Sequence, residues 1–382
     1  MRANADAVIV GGGVNGASIA YNLLKQGMRD VVLLEKATFC NGSSGRCGAG
    51  VREQWGSEGN CRLAQAALNI FENLPDELDY PYDMEFKQKG YLMLAHTERE
   101  WDRLRQNVEI QNRLHINSRL CTPGQAREIA PVLNTEGMLG ATFNNRDGHA
   151  NPFHVTRAYL MAAERLGADI NYFTEVTSIK SNGYRVKSVT TDKGVVATPV
   201  VINAAGPWAK PVAAMVGIDL PLFTQRHQIL VTEPIGKVLD PMVMSLSLGI
   251  YCQQTPHGSL VMGMGDPREP KGYDIGHSWT FLEKMCSIMT HLLPVLKNVR
   301  VVRQWSGLYT VTPDAHPILG SVPELEGYYQ AVGFSGHGFM LAPVVGELIA
   351  EMVTGKKPHI GIGALDLGRF QRGEYNIEPS VV

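Results

Sequence analysis

Three glycines in the run Gly11-Gly12-Gly13-Val14-Asn15-Gly16 stand at the G-x-G-x-x-G spacing, and the chemistry open to them is the holding of a pyrophosphate. Gly11 permits a tight turn, Gly13 lets the backbone approach the phosphates, and Gly16 lets a following helix pack on the preceding strand. The start of that helix offers free N–H groups and the positive end of its dipole to an anion. Further on, Glu35 ends the apolar run Val31-Val32-Leu33-Leu34 and is followed by Lys36. A carboxylate there can accept hydrogen bonds from ribose hydroxyls and repels a 2′-phosphate. These residues imply a dinucleotide, FAD or NAD, and on their own leave the choice open.

The elements that must position them are short and apolar. Ala7-Val8-Ile9-Val10 reads as a buried strand, and Ala17, Ala20, Leu23 and Leu24 mark a helix that Gly27 is placed to end. After Glu35 comes Asn41-Gly42-Ser43-Ser44-Gly45-Arg46-Cys47-Gly48-Ala49-Gly50-Val51-Arg52. Its hydroxyls and backbone N–H groups suit phosphate oxygens, and its small residues would let a flavin ring lie against the backbone; a flexible surface loop is the alternative. Val200-Val201-Ile202-Asn203 reads as a further strand that stops at Ala204, Ala205 and Gly206 before Trp208, where an open α/β sheet binds its ligand. The alternating runs 174–179 and 184–191 flank Asn182-Gly183 as a hairpin should. Near the end, the strand-like Tyr328-Tyr329-Gln330-Ala331-Val332 leads into the glycine-rich stretch Gly333 to Pro343. There a helix is expected with Pro343 near its first position and Gly355 just past its end. Free N–H groups at the start of that helix would stabilise negative charge on a reduced flavin.

Composition narrows the partners. The 382 residues are enough for two domains, and 44% hydrophobic with 19% charged residues is ordinary for a globular protein. A formal net charge of -2 provides no electrostatic footprint for nucleic acid or an anionic membrane. No apolar run is long enough for a transmembrane segment or a signal sequence, so a cytoplasmic protein is expected. Cys40, Cys47, Cys61, Cys121, Cys252 and Cys286 show no zinc-ligand spacing, so reduced thiols and no metal site are expected.

Taken together, the first glycine loop, N-G-S-S-G-R-C-G-A-G-V-R, V-I-N-A-A-G-P-W, Gly307-Leu308-Tyr309-Thr310-Val311-Thr312-Pro313-Asp314 and G-F-S-G-H-G-F resemble the D-amino-acid-oxidase-type FAD oxidoreductases over nearly the whole chain. Within them the sequence is most similar to the sarcosine oxidase β subunit and the related β subunit of heteromeric L-proline dehydrogenase. The resemblance implies an α/β fold: a discontinuous Rossmann-like FAD-binding domain, expected at 1–85, 143–215 and 318–382, and an antiparallel-sheet substrate domain at 86–142 and 216–317. In the latter, Thr97-Glu98-Arg99-Glu100 and Thr122-Pro123-Gly124-Gln125 read as helix starts. The runs 228–232, 250–254 and 260–264 read as strands, and a helix from Trp279 should stop before Pro294.

Cofactor contacts are implied for Gly11, Gly13, Val14, Asn15 and Gly16, and for Glu35 and Lys36. Ser43, Ser44, Arg46, Cys47 and Gly48 join them, as do Val176, Ala204, Ala205, Gly206 and Trp208. Gly307, Gly336, His337, Gly338, Phe339 and Met340 complete the set.

The resemblance also implies a reaction, in which a secondary amino acid such as L-proline or sarcosine loses a hydride equivalent to flavin N5 and becomes an imine. Hydroxyproline or an opine is the alternative substrate, and a flavin-binding assembly or electron-relay subunit the alternative role. Arg52 stands where relatives clamp the substrate carboxylate, and a planar guanidinium can do so with two hydrogen bonds. Tyr251, Tyr309 and His337 are candidates for contact with substrate, against core packing for the tyrosines and a structural hydrogen bond for the histidine. Gly307 replaces the cysteine that attaches FAD in monomeric sarcosine oxidases, so the FAD is expected to be non-covalent. Pro152 replaces a histidine that carries FMN in heterotetrameric ones, although His149 and His154 are near; a non-covalent FMN at an interface with an α subunit stays open. Met340 replaces a carboxylate-binding lysine, and Leu260-Val261-Met262-Gly263 lacks the lysine that promotes oxygen attack. The first points away from a standard sarcosine oxidase toward the proline dehydrogenase branch, and the second favours a dehydrogenase that passes electrons through a partner.

Overall fold

A computed structural model of the chain describes residues 1–375, 377, 378 and 380. The last expected segment of the nucleotide-binding domain also includes Asn376, Pro379, Val381 and Val382, which lie outside the described residues. The strand Ala7–Val10 lies inside a six-stranded sheet, parallel to Val31–Leu34 on one side and Val201–Asn203 on the other. Asp169–Asn171 extends the first side in parallel, Tyr328–Val332 the second, and Ile318–Ser321 closes that edge antiparallel. The apolar four-residue runs belong here because both faces of such a sheet are covered. Ala7, Ile9, Val31 and Leu33 face the helices Val14–Lys25, Pro152–Arg165 and Gly338–Val353, while Val8, Val10, Val32 and Leu34 face the antiparallel sheet of Val176–Ser181, Val186–Thr191 and Gly194–Ala197.

A second sheet has eight strands in the order Val301–Val311, Phe223–Thr232, Leu260–Met264, Ile250–Gln254, Met242–Ser245, Tyr91–Ala95, Gly140–Asn144 and Arg119–Cys121. One of its faces packs Phe281, Met285 and Met289 of the helix Trp279–Leu292 against Leu260, Met262 and Cys252. The other turns Tyr91, Met242, Met244 and Tyr251 inward. It is not wholly antiparallel as expected: Met242–Ser245 and Tyr91–Ala95 run parallel, where its strands from residues 91–144 meet those from 223–311.

Local signals that depend on a few adjacent residues fare well. Thr97 with Glu100, and Thr122 with Gln125, form the expected capping boxes. Gly27, at φ +101, follows the end of the first helix, and Gly355, at φ +76, follows the last long one. The position of Pro343 differs from expectation. The helix starts at Gly338, directly after the glycine turn, so Pro343 lies inside it and Phe339 C=O receives no amide N–H from that residue. Among the described residues no helix is long and apolar enough to cross a membrane.

Candidate active site

A cleft of about 1520 Å³ opens at the ends of the central parallel strands and runs to the strand Val301–Val311. At its first end Gly11 has φ +117, and a Cβ there would sit 2.4 Å from Ala204 O; one on Gly16 would sit 2.0 Å from Gly11 O. The turn is therefore open only to glycine, and it brings Gly13, Val14 and Asn15 to the cleft while Gly16 stays beneath as packing. Ser44 Oγ accepts from Val14 N–H at 3.0 Å, which places a hydroxyl at the helix start. Glu35 is held by Gly12 N–H and Ala37 N–H, both at 2.8 Å, and each oxygen keeps a lone pair for a sugar hydroxyl. Lys36 Nζ lies 3.5 Å from the centre of the Trp208 ring, and burial lowers its pKa. Trp208 stacks in turn on Tyr273. Val176, Ala204, Ala205 and Gly206 complete this end.

The run 41–48 is pinned rather than loose. Ser43 Oγ donates to Leu308 O at 2.7 Å, and Arg46 donates to Asn41 O at 3.2 Å and Ser306 O at 3.3 Å. These bonds seat Ser43, Ser44, Arg46 and Cys47 along the cleft opposite Gly307. Gly336 has φ +100, and a Cβ there would lie 2.5 Å from the Tyr309 ring, so the glycine gives the tyrosine its place. Asn15 Nδ2 donates to Gly338 O at 3.1 Å and ties the starts of the two long helices together, with Gly338 and Phe339 lining the cleft between them. Asn15 Oδ1 and His227 Nε2, in residues bordering the cleft, are buried and without a hydrogen-bond partner among the described residues. Orphaned polar atoms, a glycine cradle and a ribose-type carboxylate in one long cleft fit a dinucleotide carrying a flavin ring.

A smaller chamber of about 560 Å³ shares Cys47, Tyr309, Gly336 and Phe339 with the cleft. Gly48, His337 and Met340, expected at the cofactor, line this chamber instead of the cleft. Gly48 lies against the Tyr251 ring, which a Cβ would approach to 2.6 Å. Arg52 also lines the chamber and is only 3% exposed. Its Nη1 donates to Gln54 O, its Nη2 to Ser380 O, and its Cζ stands 3.7 Å from the centre of the Trp55 ring. Among the described residues it makes no ion pair, and burial lowers its pKa. A buried, permanently charged guanidinium whose partners among the described residues are all neutral calls for an anion.

The remaining groups are neutral. Tyr251 and Tyr309 line the chamber, burial raises both phenol pKa values, and both rings lie parallel to the His227 ring, at 5.6 and 4.3 Å between centres. His337 is buried with its ring 4.8 Å from Trp55, and among the described residues neither ring nitrogen makes a hydrogen bond of good geometry. Burial first, then His316 and Arg52, bring its pKa down to about 3. Trp55, Tyr91, Met242, Met244 and His227 carry no motif and were not legible as site residues. Trp55, three positions after Arg52, offered the one available hint.

A third cleft of about 770 Å³ gathers Lys87, Lys89 and Lys237 with His149 and His257. His149 is buried, its pKa brought down to about 4, whereas His154 faces away and shares a 2.8 Å hydrogen bond with Tyr80. Pro152 opens the helix Pro152–Arg165, capped by Asn151.

Residues 6–352 match the family described as FAD dependent oxidoreductase. The chain is 31% identical over 374 residues to the sarcosine oxidase subunit beta of an Arthrobacter species, covering 96% of this chain and 91% of that one. Among solved structures, L-proline dehydrogenase from P. horikoshii superposes with a TM-score of 0.93 at 37% identity, covering 98% of this chain and all of that one. Glycine oxidase from Geobacillus kaustophilus superposes with a TM-score of 0.89 at 28% identity, covering 96% and 99%.

Proposed function

The chain belongs to the FAD dependent oxidoreductase family, and from that premise we propose that it oxidises a small secondary amino acid of the L-proline or sarcosine type to its imine. The observation that carries this reading is Arg52, a buried cation without a carboxylate partner among the described residues, in a chamber that opens onto the cofactor cleft. When bound, FAD would supply the two-electron chemistry by accepting a hydride equivalent from the substrate's α-carbon.

The chain's own residues do the rest. Arg52 binds the carboxylate and fixes the orientation of the α C–H. Trp55, Met242, Met244 and Met340 form an apolar wall that excludes water and suits a ring of methylenes, which favours L-proline over sarcosine. His337, neutral at physiological pH, can accept a hydrogen bond from the substrate N–H, and Tyr251 or Tyr309 can donate one. Gly307 carries no thiol, consistent with non-covalent FAD. Residues 1–85, 143–215 and 318–382 would form the nucleotide-binding domain, and 86–142 and 216–317 the substrate domain; the six-stranded sheet draws on the first set and the eight-stranded sheet on the second, apart from Phe143 and Asn144 at the end of Gly140–Asn144, and this supports the division.

A heteromeric dehydrogenase is the assembly we favour. The Arthrobacter relative is named as a subunit beta, and Leu260–Met264 holds no lysine, Gly263 being packed against Tyr251. If an α subunit brings FMN, the Lys87, Lys89 and Lys237 cleft is the place suited to its phosphate. Six cysteines present as thiols support a reducing, cytoplasmic setting. The test is turnover of L-proline, sarcosine, hydroxyproline and an opine with an artificial dye and with oxygen. Fast dye reduction by L-proline and slow peroxide formation are expected; no turnover of any secondary amino acid would overturn the reading.

A further inference from the structure

We propose that Glu378 is a positioning residue for Arg52: it fixes Ser380, whose main-chain carbonyl holds one arm of the guanidinium from behind the amino-acid chamber. The inference rests on the reading of Arg52 as the carboxylate clamp.

Arg52 has five N–H donors. Nη1 is directed to Gln54 O and Met93 Sδ, and Nη2 gives one hydrogen to Ser380 O. Among the described residues Nε–H and the second Nη2–H meet no acceptor, two donors for the two oxygens of a carboxylate. Ser380 is fully buried and is not among the residues that line the chamber, so its carbonyl approaches from the protein side.

What keeps that carbonyl in place is chiefly Glu378, itself 3% exposed. Its Oε1 accepts from Ser380 N–H and from Gly56 N–H, both at 3.0 Å. Its Oε2 accepts from Ser57 Oγ at 2.6 Å and Asn60 Nδ2 at 3.0 Å. Gly56 and Ser57 precede the helix Glu58–Glu77, whose positive end favours a carboxylate. Glu378 N–H donates to Asp314 O at 2.9 Å, and the Asp314 carboxylate is gripped by Arg369 at 2.8 and 3.0 Å. Ser380 Oγ also accepts from Asn107 Nδ2 at 3.2 Å. The turn Arg52-Glu53-Gln54-Trp55-Gly56-Ser57 thus carries the clamp at one end and the anchor for its support at the other. Without Glu378, Ser380 loses its anchor, and Arg52 regains side-chain freedom that substrate binding must then remove.

The experiment compares Glu378→Ala and Ser380→Pro, which lacks the N–H that Glu378 accepts, with Arg52→Met in the FAD-loaded chain. For both Glu378→Ala and Ser380→Pro we expect KM for L-proline to rise about tenfold, the equivalent of about 1.4 kcal/mol. Turnover should stay within about twofold, and flavin content and visible spectrum should be retained, which a general loss of structure would not allow. Affinity for cyclopentanecarboxylate, a ring carboxylate without the amine, should fall by the same factor. An unchanged KM in either variant that folds, while Arg52→Met raises it, overturns the role of Glu378 alone. An unchanged KM in Arg52→Met overturns the clamp and, with it, this inference.

Discussion

Replacing Arg52 with methionine removes the only charged side chain among the described residues lining the smaller chamber and keeps much of its volume. If two N–H groups meet the substrate carboxylate, deleting one partner of such a buried, charge-assisted contact costs about 2–5 kcal/mol. At about 1.4 kcal/mol per decade, KM for L-proline should rise roughly 30- to 4000-fold. Stability should change little, because two effects oppose. The variant loses the hydrogen bonds to Gln54 O and Ser380 O, and the stacking on Trp55 worth about 0.5–2 kcal/mol. It also no longer buries a cation that has no ion-pair partner among the described residues, and apolar replacements of buried charges are often neutral or stabilising by about 1–4 kcal/mol. Flavin content should be unchanged, since Arg52 borders the chamber and not the cofactor cleft. The assay is steady-state dye reduction across L-proline concentrations, with flavin absorbance and thermal unfolding on the same preparation. An unchanged KM with full flavin would refute the clamp, and loss of flavin together with activity would move Arg52 into the cofactor site.

Other outcomes follow from single features of the site. Gly336→Ala places a Cβ at φ +100 and 2.5 Å from the Tyr309 ring, so it should destabilise by about 1–3 kcal/mol. It should also weaken FAD binding, read as a higher dissociation constant in apoprotein titration. Acid precipitation should release yellow flavin into the supernatant, because Gly307 has no thiol to retain it; flavin left on the pellet would be the contrary result. His337 has a folded pKa of about 3, below its unfolded value, so its effect on stability is absent above about pH 6.5 and grows as the pH falls toward 3. Over that window the unfolded chain takes up a proton that the native state refuses. His337→Phe should therefore reduce the loss of stability between pH 6 and 4 by about 1.4 kcal/mol per pH unit, measured by denaturant unfolding.

The cofactor half of the molecule was more legible than the substrate half, and the reason is physical. A pyrophosphate turn is made of contiguous residues whose backbone geometry demands glycine, so Gly11, Gly13 and Gly16 announce it, and Glu35 follows at the end of the next strand. The capping boxes at Thr97 and Thr122 are equally local. The chamber is built otherwise: Tyr91, Met242 and Tyr251 come from three strands brought together by sheet pairing, and an inward-facing residue on a strand looks in sequence like any core residue. The parallel pairing of Met242–Ser245 with Tyr91–Ala95 and the contact of Ser380 with Arg52 are long-range events with no periodic signal. Pro343 misled because proline is a good marker of a helix start in general, whereas here the glycine at 338 already served.

The most direct measurement of the central claim is anaerobic: the purified chain, loaded with FAD and free of any partner, is mixed with L-proline while the visible flavin band is followed. The account predicts that the band bleaches on the first turnover with L-proline and not with glycine. Persistence of the oxidised spectrum with every secondary amino acid tried would contradict it and leave the chain a flavin carrier whose chemistry lies elsewhere.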